Sequence, residues 1–421
     1  MTMRRFLDGP VTKEYDAVVI GGGISGAAVA YEAATRGLSV ALIEKEDFGG
    51  GTSAATSKLI HGGARYLANK EFGLVRESLR ERRILSNIAP NFVYPVPVMI
   101  ATYHHHRTLK AGMIIYDALS YDKGRTWDSS KKIPFHRTLS PERVVELEPI
   151  VKRDGLIGAH VYYDCASISP ERLTLAFVKS AAAHGADVAN HAQVEGFLFS
   201  DEKTVCGVKV RDRMTGAEID LRGRLTINCG GPWVNHVLAM TGRLHGEKRI
   251  VRSEGIHLIV RKLTNKHLVA LPGAGGKSFL LIPWRGHTLV GPTDKEFLGE
   301  PDDYKVTKES VLELIECVNG YFADGARLKY DDVLYAYGGL RPLVESKQHD
   351  VRQMSRRYEI QDHAPEGVEG LISVEGGKYT TSRRLAANVL KIAAKKLGGV
   401  PRRCVTVRRY LAGCEIPDLA A

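Results

Sequence analysis

The chain has 421 residues, 44% of them hydrophobic and 25% charged, ordinary values for a globular protein long enough to build two cores or one large discontinuous fold. No apolar run reaches membrane-spanning length, and the basic N-terminus Met1-Thr2-Met3-Arg4-Arg5-Phe6 lacks the apolar stretch of a secretory signal. The net charge of +11 suits an anionic substrate or an anionic membrane surface, while dispersed basic residues without a recognisable module argue against nucleic acid.

Residues 16–20, Asp-Ala-Val-Val-Ile, read as a short buried strand. Gly21-Gly22-Gly23-Ile24-Ser25-Gly26 follows, then a small-residue helix over 27–36, a turn at 37–39 and a second buried strand over 40–43 closed by Glu44. Here G-x-G-x-x-G stands between a strand and a helix, the context that makes it a dinucleotide fingerprint. Gly21, Gly23 and Gly26 let backbone N–H groups approach a pyrophosphate at a helix N-terminus, with Ser25 beside them. Glu44 comes about 18 residues after Gly26, where a carboxylate accepts hydrogen bonds from a ribose 2′-OH and disfavours a 2′-phosphate. The motif alone does not separate FAD from NAD.

Beyond Lys45, residues 49–67 run Gly-Gly-Gly-Thr-Ser-Ala-Ala-Thr-Ser-Lys-Leu-Ile-His-Gly-Gly-Ala-Arg-Tyr-Leu. A nicotinamide cofactor does not require so many hydroxyls and small residues there. A flavin does: Thr52, Ser53, Thr56 and Ser57 can bond pyrophosphate and ribityl oxygens, and a turn at His61 and Gly62 lets backbone pass close to the ring system.

A charged helix is expected over 71–89, broken by Pro90 to Pro97. His104-His105-His106 reads as a solvated loop, because three adjacent histidines converge poorly on one ion and no carboxylate or cysteine stands near, so no metal is expected. The amphipathic stretch 109–119 faces either a core or a membrane, with core packing the expectation. Further along, a helix is expected over 170–184 and strands over 186–194, 205–211 and 224–228. Strands at 256–260, 279–282 and 288–290 precede a helix over 308–322, and a strand near 370–374 precedes a glycine turn and a long last helix. Six cysteines without a C-x-x-C pair suggest free thiols in a reducing compartment. The expected fold class is α/β. A Rossmann-like, glutathione reductase-like FAD domain over 14–97, 151–238 and 331–400 carries an inserted antiparallel-sheet substrate domain over 98–150 and 239–330, with a basic tail over 401–421.

Thr52-Ser53 through Leu67 resembles the signature of FAD-dependent, respiratory glycerol-3-phosphate dehydrogenases, flavoenzymes of the D-amino-acid-oxidase type. Asn228-Cys229-Gly230-Gly231-Pro232-Trp233, Gly291-Pro292-Thr293-Asp294, Tyr337-Gly338-Gly339-Leu340-Arg341-Pro342-Leu343 and Gly376-Gly377-Lys378-Tyr379-Thr380-Thr381 resemble that family's later strings, in the same order. The resemblance runs from about residue 15 to 400. It implies FAD, hydride transfer from C2 of sn-glycerol 3-phosphate to flavin N5 with release of dihydroxyacetone phosphate, and a quinone as electron acceptor. It leaves room for a homodimer, and it implies a cytoplasmic protein with peripheral contact on the inner face of the cell membrane.

The family match assigns substrate contacts to Arg65, Tyr66, Arg341, Arg356 and Lys378, with Arg357 as the competitor of Arg356. A phosphate dianion calls for such cations, and arginine's planar fork suits its oxygens. Alcohol oxidation needs a base, and His257 and His61 are the two candidates, with Arg341 beside the reacting oxygen. His61, Gly62, Gly230, Trp233, Gly377, Lys378, Thr380 and Thr381 complete the cofactor set, the last two opening a helix whose positive end stabilises charge on the reduced ring.

Two departures stand out. Pro292 replaces a threonine of the family string, and family members commonly continue into a helical C-terminal domain. Two readings compete: another oxidase or dehydrogenase of this fold acting on a small hydroxy or amino acid, which would lack the trio Arg65, Arg341 and Lys378, and a flavin-binding assembly subunit without catalysis.

Overall fold

The computed structural model describes residues 3–104, 106–244, 250–272, 278–323, 325–344, 356–400 and 402–415. Strands and helices are numbered in chain order. The first sheet runs β18-β19-β11-β1-β2-β7. Its strands are β1 (Ala17–Ile20), β2 (Val40–Ile43), β7 (Asp187–Ala189), β11 (Thr226–Asn228), β18 (Tyr358–Asp362) and β19 (Leu371–Gly376). All pairings are parallel except β18 with β19.

Both faces of this sheet are covered, which is why β1 and β2 are unbroken apolar runs rather than alternating ones. On one face α1 (Ile24–Thr35) packs against α5 (Pro170–Ala183) and α8 (Ser382–Leu397). Ala27, Ala28, Ala30, Ala33 and Ala34 are buried, and their small side chains allow the close approach. On the other face lies a three-stranded antiparallel sheet of β8 (Ala192–Phe199), β9 (Val205–Asp212) and β10 (Glu218–Arg222). Val18, Ile20, Ala41 and Ile43 meet Val194, Val208, Val210 and Leu221 between the two layers.

The second sheet has ten strands along the path β16-β12-β15-β14-β13-β4-β6-β3, with β17 on β12 and β5 on β6. Its members are β3 (Leu59–Ile60), β4 (Val93–Thr102), β5 (Arg137–Leu139), β6 (Gly158–Ser167), β12 (Ile250–Val260), β13 (Leu268–Pro272), β14 (Ser278–Trp284), β15 (His287–Gly291), β16 (Lys295–Glu296) and β17 (Val333–Val344). It is antiparallel apart from β13 with β4. On one face Ile256, Leu258, Val269 and Leu281 pack under α7 (Lys308–Asn319) and α4 (Pro141–Leu147). The other face looks toward the cofactor sheet. Helices α2 (Phe72–Ile88) and α3 (His106–Leu119) stand beside the ten-stranded sheet, and short α6 (Val234–Ala239) follows the Gly230 turn.

Sheet membership redistributes the expected segments. The sequence reading groups β3, residues 93–97 of β4, β6 and β17 with the cofactor domain, yet they belong to the ten-stranded sheet. The register of β4 on β6, from Val93↔Ser167 to Thr102↔Gly158, ties 93–97 and 158–167 to one layer. Short apolar runs carry no signal for which sheet will receive them. The expected strand 186–194 is two strands in two sheets, and the break falls at His191, whose φ of 50° is left-handed.

The 401–421 tail holds to the body where it is described. Leu411 and Thr406 are buried, the Leu411 N–H donates to the Ile88 carbonyl at 2.8 Å, and Thr406 Oγ1 donates to Glu32 at 2.6 Å. Behind it Arg383 and Glu81 form a buried bidentate pair at 2.6 and 2.7 Å. His106 opens α3 and stacks on buried His160 at 4.4 Å, so it is packed rather than in a solvated loop, and His105 lies outside the described residues. In the 109–119 helix Met113 and Tyr116 face the core while Ile114 and Ile115 face out. All six cysteines are free thiols. Among the described residues no helix is long and apolar enough to cross a membrane.

Candidate active site

The turn after β1 is built by steric exclusion. Gly21 has φ +98°, and a Cβ there would lie 2.7 Å from the Cys229 carbonyl oxygen. A Cβ on Gly26 would lie 1.9 Å from the Gly21 carbonyl oxygen, so only glycine lets α1 start this close to the turn. No side chain of Gly23 caps the helix, and Ser53 Oγ instead accepts the Ile24 N–H at 2.9 Å from a distant loop. Glu44 is fixed by backbone donors, Gly22 N–H at 2.7 Å on one oxygen and Glu46 N–H at 2.9 Å on the other. Burial pushes its carboxyl above the usual range, against the downward pull of those two N–H groups. At the same end Asp302 accepts from Trp233 Nε1 at 2.9 Å and from Lys45 Nζ at 2.5 Å, and the ammonium lies over the indole at 4.3 Å.

The hydroxyl-rich loop bridges the two sheets. Thr52 Oγ1 donates to the Leu340 carbonyl at 2.6 Å, and Ser57 Oγ shares a 2.9 Å hydrogen bond with His257 Nε2. Thr56 Oγ1 accepts the Lys58 N–H at 3.1 Å, and its carbonyl accepts the Tyr337 hydroxyl at 3.0 Å. The chain then forms β3 and turns at His61-Gly62-Gly63. His61 N–H donates to Thr380 Oγ1 at 3.2 Å, and Gly62 N–H donates to Asp164 at 3.0 Å. Gly63, at φ +79°, has no room for a side chain against the Tyr66 ring.

Four cations converge after this turn. Arg65 lies over the Tyr66 ring at 5.0 Å and donates to its hydroxyl at 3.4 Å. Lys378 Nζ is 4.8 Å from the same ring centroid and donates to Ser78 Oγ at 2.8 Å. Arg341 donates through Nη1 to the Thr293 carbonyl at 3.0 Å and the Glu254 carbonyl at 3.3 Å, and pairs with Asp294 at 3.4 Å. Arg356 Nη2 pairs with the other Asp294 oxygen at 2.8 Å, while its buried Nη1 has no partner among the described residues. Arg341 rests on Gly255, where a Cβ would fall 1.8 Å from the guanidinium.

The electrostatics follow from that crowding. Burial lowers Arg341 to about 10, with Arg356 and Arg65 adding repulsion and Asp294 opposing it. Burial lowers Lys378 as well. Burial would raise Tyr66, but Lys378, Arg65 and Arg356 outweigh it and hold the phenol below its ordinary value. Burial also pushes His257 down to about 3, helped by Arg341 and Lys58, and pushes His61 well down, helped by Lys378, Arg65 and Arg82. Both imidazoles are therefore neutral at neutral pH. His257 stacks on Tyr337 at 5.0 Å, and its buried Nδ1 has no partner among the described residues.

One continuous cavity of about 2120 Å³ joins these groups, well above the roughly 300–1,000 Å³ of an ordinary small-molecule site. It is lined by Gly21, Gly23, Ser25, Glu44, Lys45, Thr52, Ser53, Thr56, Ser57, His61, Gly230, Trp233, Gly377, Lys378 and Thr380 from the expected cofactor set. It is also lined by Arg65, Tyr66, His257, Arg341 and Arg356, whereas Arg357 is not among its walls. Three expected residues stand behind the wall. Gly26 packs on Gly21, Gly62 hands its N–H to Asp164, and Thr381 Oγ1 donates to the Lys378 carbonyl at 3.3 Å. The residues present fit a dinucleotide of FAD's kind: a glycine cradle with no room for a Cβ at Gly21 or Gly26, a fixed ribose-side carboxylate, and a long hydroxyl-lined channel leading to Arg356, whose Nη1 has no partner among the described residues.

Sequence reading missed several contributors. Asp294 lies inside a string that drew attention to its neighbours, and Gly255 directly precedes the expected strand over 256–260. Asp302, Asp164, Arg82 and Ser78 come from segments without a motif, and only the fold brings them to the cavity or its back wall.

Comparison with known proteins agrees with this geometry. Residues 16–399 match the family model described as FAD dependent oxidoreductase. A glycerol-3-phosphate dehydrogenase of Synechocystis sp. is 34% identical over 96% of this chain and 74% of its own length. One from Mycobacterium leprae is 35% identical over 96% of this chain and 67% of its own. The crystal structure of the glycerol-3-phosphate dehydrogenase from Bacillus halodurans complexed with FAD superposes with a TM-score of 0.76 at 28% identity, covering 96% of this chain and 69% of that one. The glycine cradle, the fixed Glu44 carboxylate and the match over nearly the whole chain agree: this protein belongs to the FAD dependent oxidoreductase family, and its cofactor is FAD.

Proposed function

We propose that this enzyme oxidises sn-glycerol 3-phosphate to dihydroxyacetone phosphate. The observation that carries the reading is the cluster of Arg65, Lys378, Arg341 and Arg356, with Asp294 paired to both Arg341 and Arg356, in the cavity that also holds the cofactor cradle. That excess of positive charge suits a phosphate dianion, and a neutral amino acid would leave it uncompensated. The likeness to relatives named glycerol-3-phosphate dehydrogenase supports the same substrate.

Bound FAD supplies the acceptor, flavin N5, for the hydride that leaves C2. The residues of this chain supply the rest. Arg341 and Arg356, oriented by Asp294, and Arg65 with Lys378 hold the anion and the reacting oxygen. The hydroxyl proton goes to a neutral imidazole, His257 or His61. Each is a weak base among cations, and the charge of a bound dianion offsets those cations and raises its proton affinity. The electrons then pass to a quinone, a reading supported by the apolar stretch of cavity wall at Val98, Ile100, Leu109, Met113, Leu268 and Leu280.

Mixing the FAD-loaded protein anaerobically with glycerol 3-phosphate, and separately with glycine, proline and small hydroxy acids, tests the substrate. Bleaching of the flavin only by the phosphate ester is expected, and bleaching by an amino acid instead would replace this reading with the other oxidase chemistry. Adding oxygen, quinone analogues or NAD to the reduced protein then identifies the acceptor, and NAD turnover at quinone-like rates would contradict the proposal.

The same reading places the protein on the inner face of the cell membrane as a peripheral partner. Ile114 and Ile115 are exposed on α3 beside exposed Arg107 and Lys110, and the net charge is +11. Binding to anionic vesicles should weaken as salt rises, because exposed charges are screened beyond about 8 Å at physiological ionic strength. Binding that ignores both salt and anionic lipid content would remove the basic surface as its cause.

A further inference from the structure

The turn that presents Arg65 and Tyr66 is held from behind by groups with no part in the chemistry proposed above. Asp164, on β6, is 2% exposed. A carboxylate has no proton to offer, so it can accept from several donors at once. It takes the Gly62 N–H at 3.0 Å, Arg82 Nη1 at 2.6 Å, and the Tyr116 hydroxyl at 3.0 and 2.8 Å on its two oxygens. Arg82 is itself buried and also donates to the Tyr163 carbonyl at 2.9 Å. The fit is close: a Cβ on Gly62 would lie 2.3 Å from the Tyr116 hydroxyl and 2.4 Å from Leu79.

Arg82 lies on α2, and Ser78 stands four residues before it on the same helical face. Ser78 is fully buried, and its hydroxyl accepts from Lys378 Nζ at 2.8 Å. One helix thus reaches both sides of the cation cluster. Through Arg82 and Asp164 it fixes the His61–Gly63 turn, and through Ser78 it fixes Lys378. The Arg82–Asp164 pair adds no net charge to the cluster. A buried pair of this kind is weak evidence for stability but sets a specific geometry.

We infer that Arg82, Asp164 and Ser78 are positioning residues that set the spacing of Arg65, Tyr66 and Lys378 in the active site. The kinetic arm of the test rests on the proposed substrate, and the spectroscopic arm does not. The experiment uses FAD-loaded wild type, Asp164→Asn, Tyr116→Phe and Ser78→Ala. An asparagine at 164 keeps the size but removes the charge that compensates buried Arg82, and its N–H2 fits only if the Tyr116 hydroxyl turns to accept.

The expected result is retained flavin with an altered visible circular dichroism in Asp164→Asn. Flavin reduction by glycerol 3-phosphate should slow roughly ten- to a hundredfold there, the order that about an ångström of misplacement costs. Ser78→Ala should raise the substrate concentration for half-maximal reduction more than it lowers the limiting rate. Tyr116→Phe and Ser78→Ala each remove one hydroxyl, so they decide the matter if Asp164→Asn does not fold. Wild-type dichroism and wild-type reduction kinetics in the folded variants would overturn the inference. If wild type itself is not reduced by glycerol 3-phosphate, the substrate reading falls, and the dichroism alone decides the positioning role.

Discussion

Arg341→Ala should bind flavin normally and reduce it roughly ten- to a few-hundred-fold more slowly at saturating glycerol 3-phosphate. A hydrogen bond to a charged group contributes about 1.5–3 kcal/mol, and about 1.4 kcal/mol is one decade of rate. The guanidinium lines the cavity, and about 25% of its side-chain surface is accessible there. Among the described residues its hydrogen bonds all use Nη1. Lysine at this position should recover only part of the loss, because a single ammonium cannot replace a planar fork. Gly255→Ala should give a related defect from the other side. The added methyl collides with the guanidinium and drives it off its perch while Arg341 itself is intact. Stopped-flow reduction per bound flavin checks both. A wild-type rate in flavin-loaded Arg341→Ala would take this residue out of the active site and weaken the substrate assignment with it.

Gly26→Val should be purified colourless. The side chain must enter space that a single Cβ already overfills, 1.9 Å from the Gly21 carbonyl and 3.3 Å from Cys229 Cβ. Relief requires α1 to back away from the turn, and with it goes the helix N-terminus that favours a pyrophosphate. The effect is on the cradle, so the three sheets should still form, and far-ultraviolet circular dichroism should change little. Stoichiometric flavin in the purified variant would show that the glycine turn does not hold the cofactor.

Much of this was legible in the sequence because the decisive residues sit close together along the chain. The cradle needs only the run from Asp16 to Glu44, and its local order of strand, glycines, helix and acid is also its order in space. The same holds for Arg65 and Tyr66, which follow the His61 turn directly. Where partners are distant, the reading stopped at one half of a contact. Ser53 was expected on the cofactor and is found accepting the Ile24 N–H, and Thr52 is found bonded to the Leu340 carbonyl. Asp164 sits in the long strand β6, whose sequence does not single it out, and Arg82 in a helix rich in arginines. Nothing in either pattern distinguishes a buried pair from two surface charges. The division of strands between sheets was illegible for a related reason. The pairing of β17 with β12 and of β3 with β6 depends on long-range register, to which local alternation is blind.

The strand order β18-β19-β11-β1-β2-β7 also bears on how the protein is made. Strand β1 is made long before its neighbour β11 is finished at residue 228 and before β19 is finished at residue 376. Until β11 is made, one edge of β1 carries unpaired backbone groups, and the Gly21 turn lacks the Cys229 backbone on which it leans. The FAD cradle, begun at β1, is therefore completed only after β11 has been made. The nascent chain must shelter an open parallel edge, of β1 until β11 is made and then of β11 until β19 is made, while strands of the ten-stranded sheet are made in between, a dependence on long-range pairing that slows folding. The early glycines become a binding site only when the distant strands have closed over them.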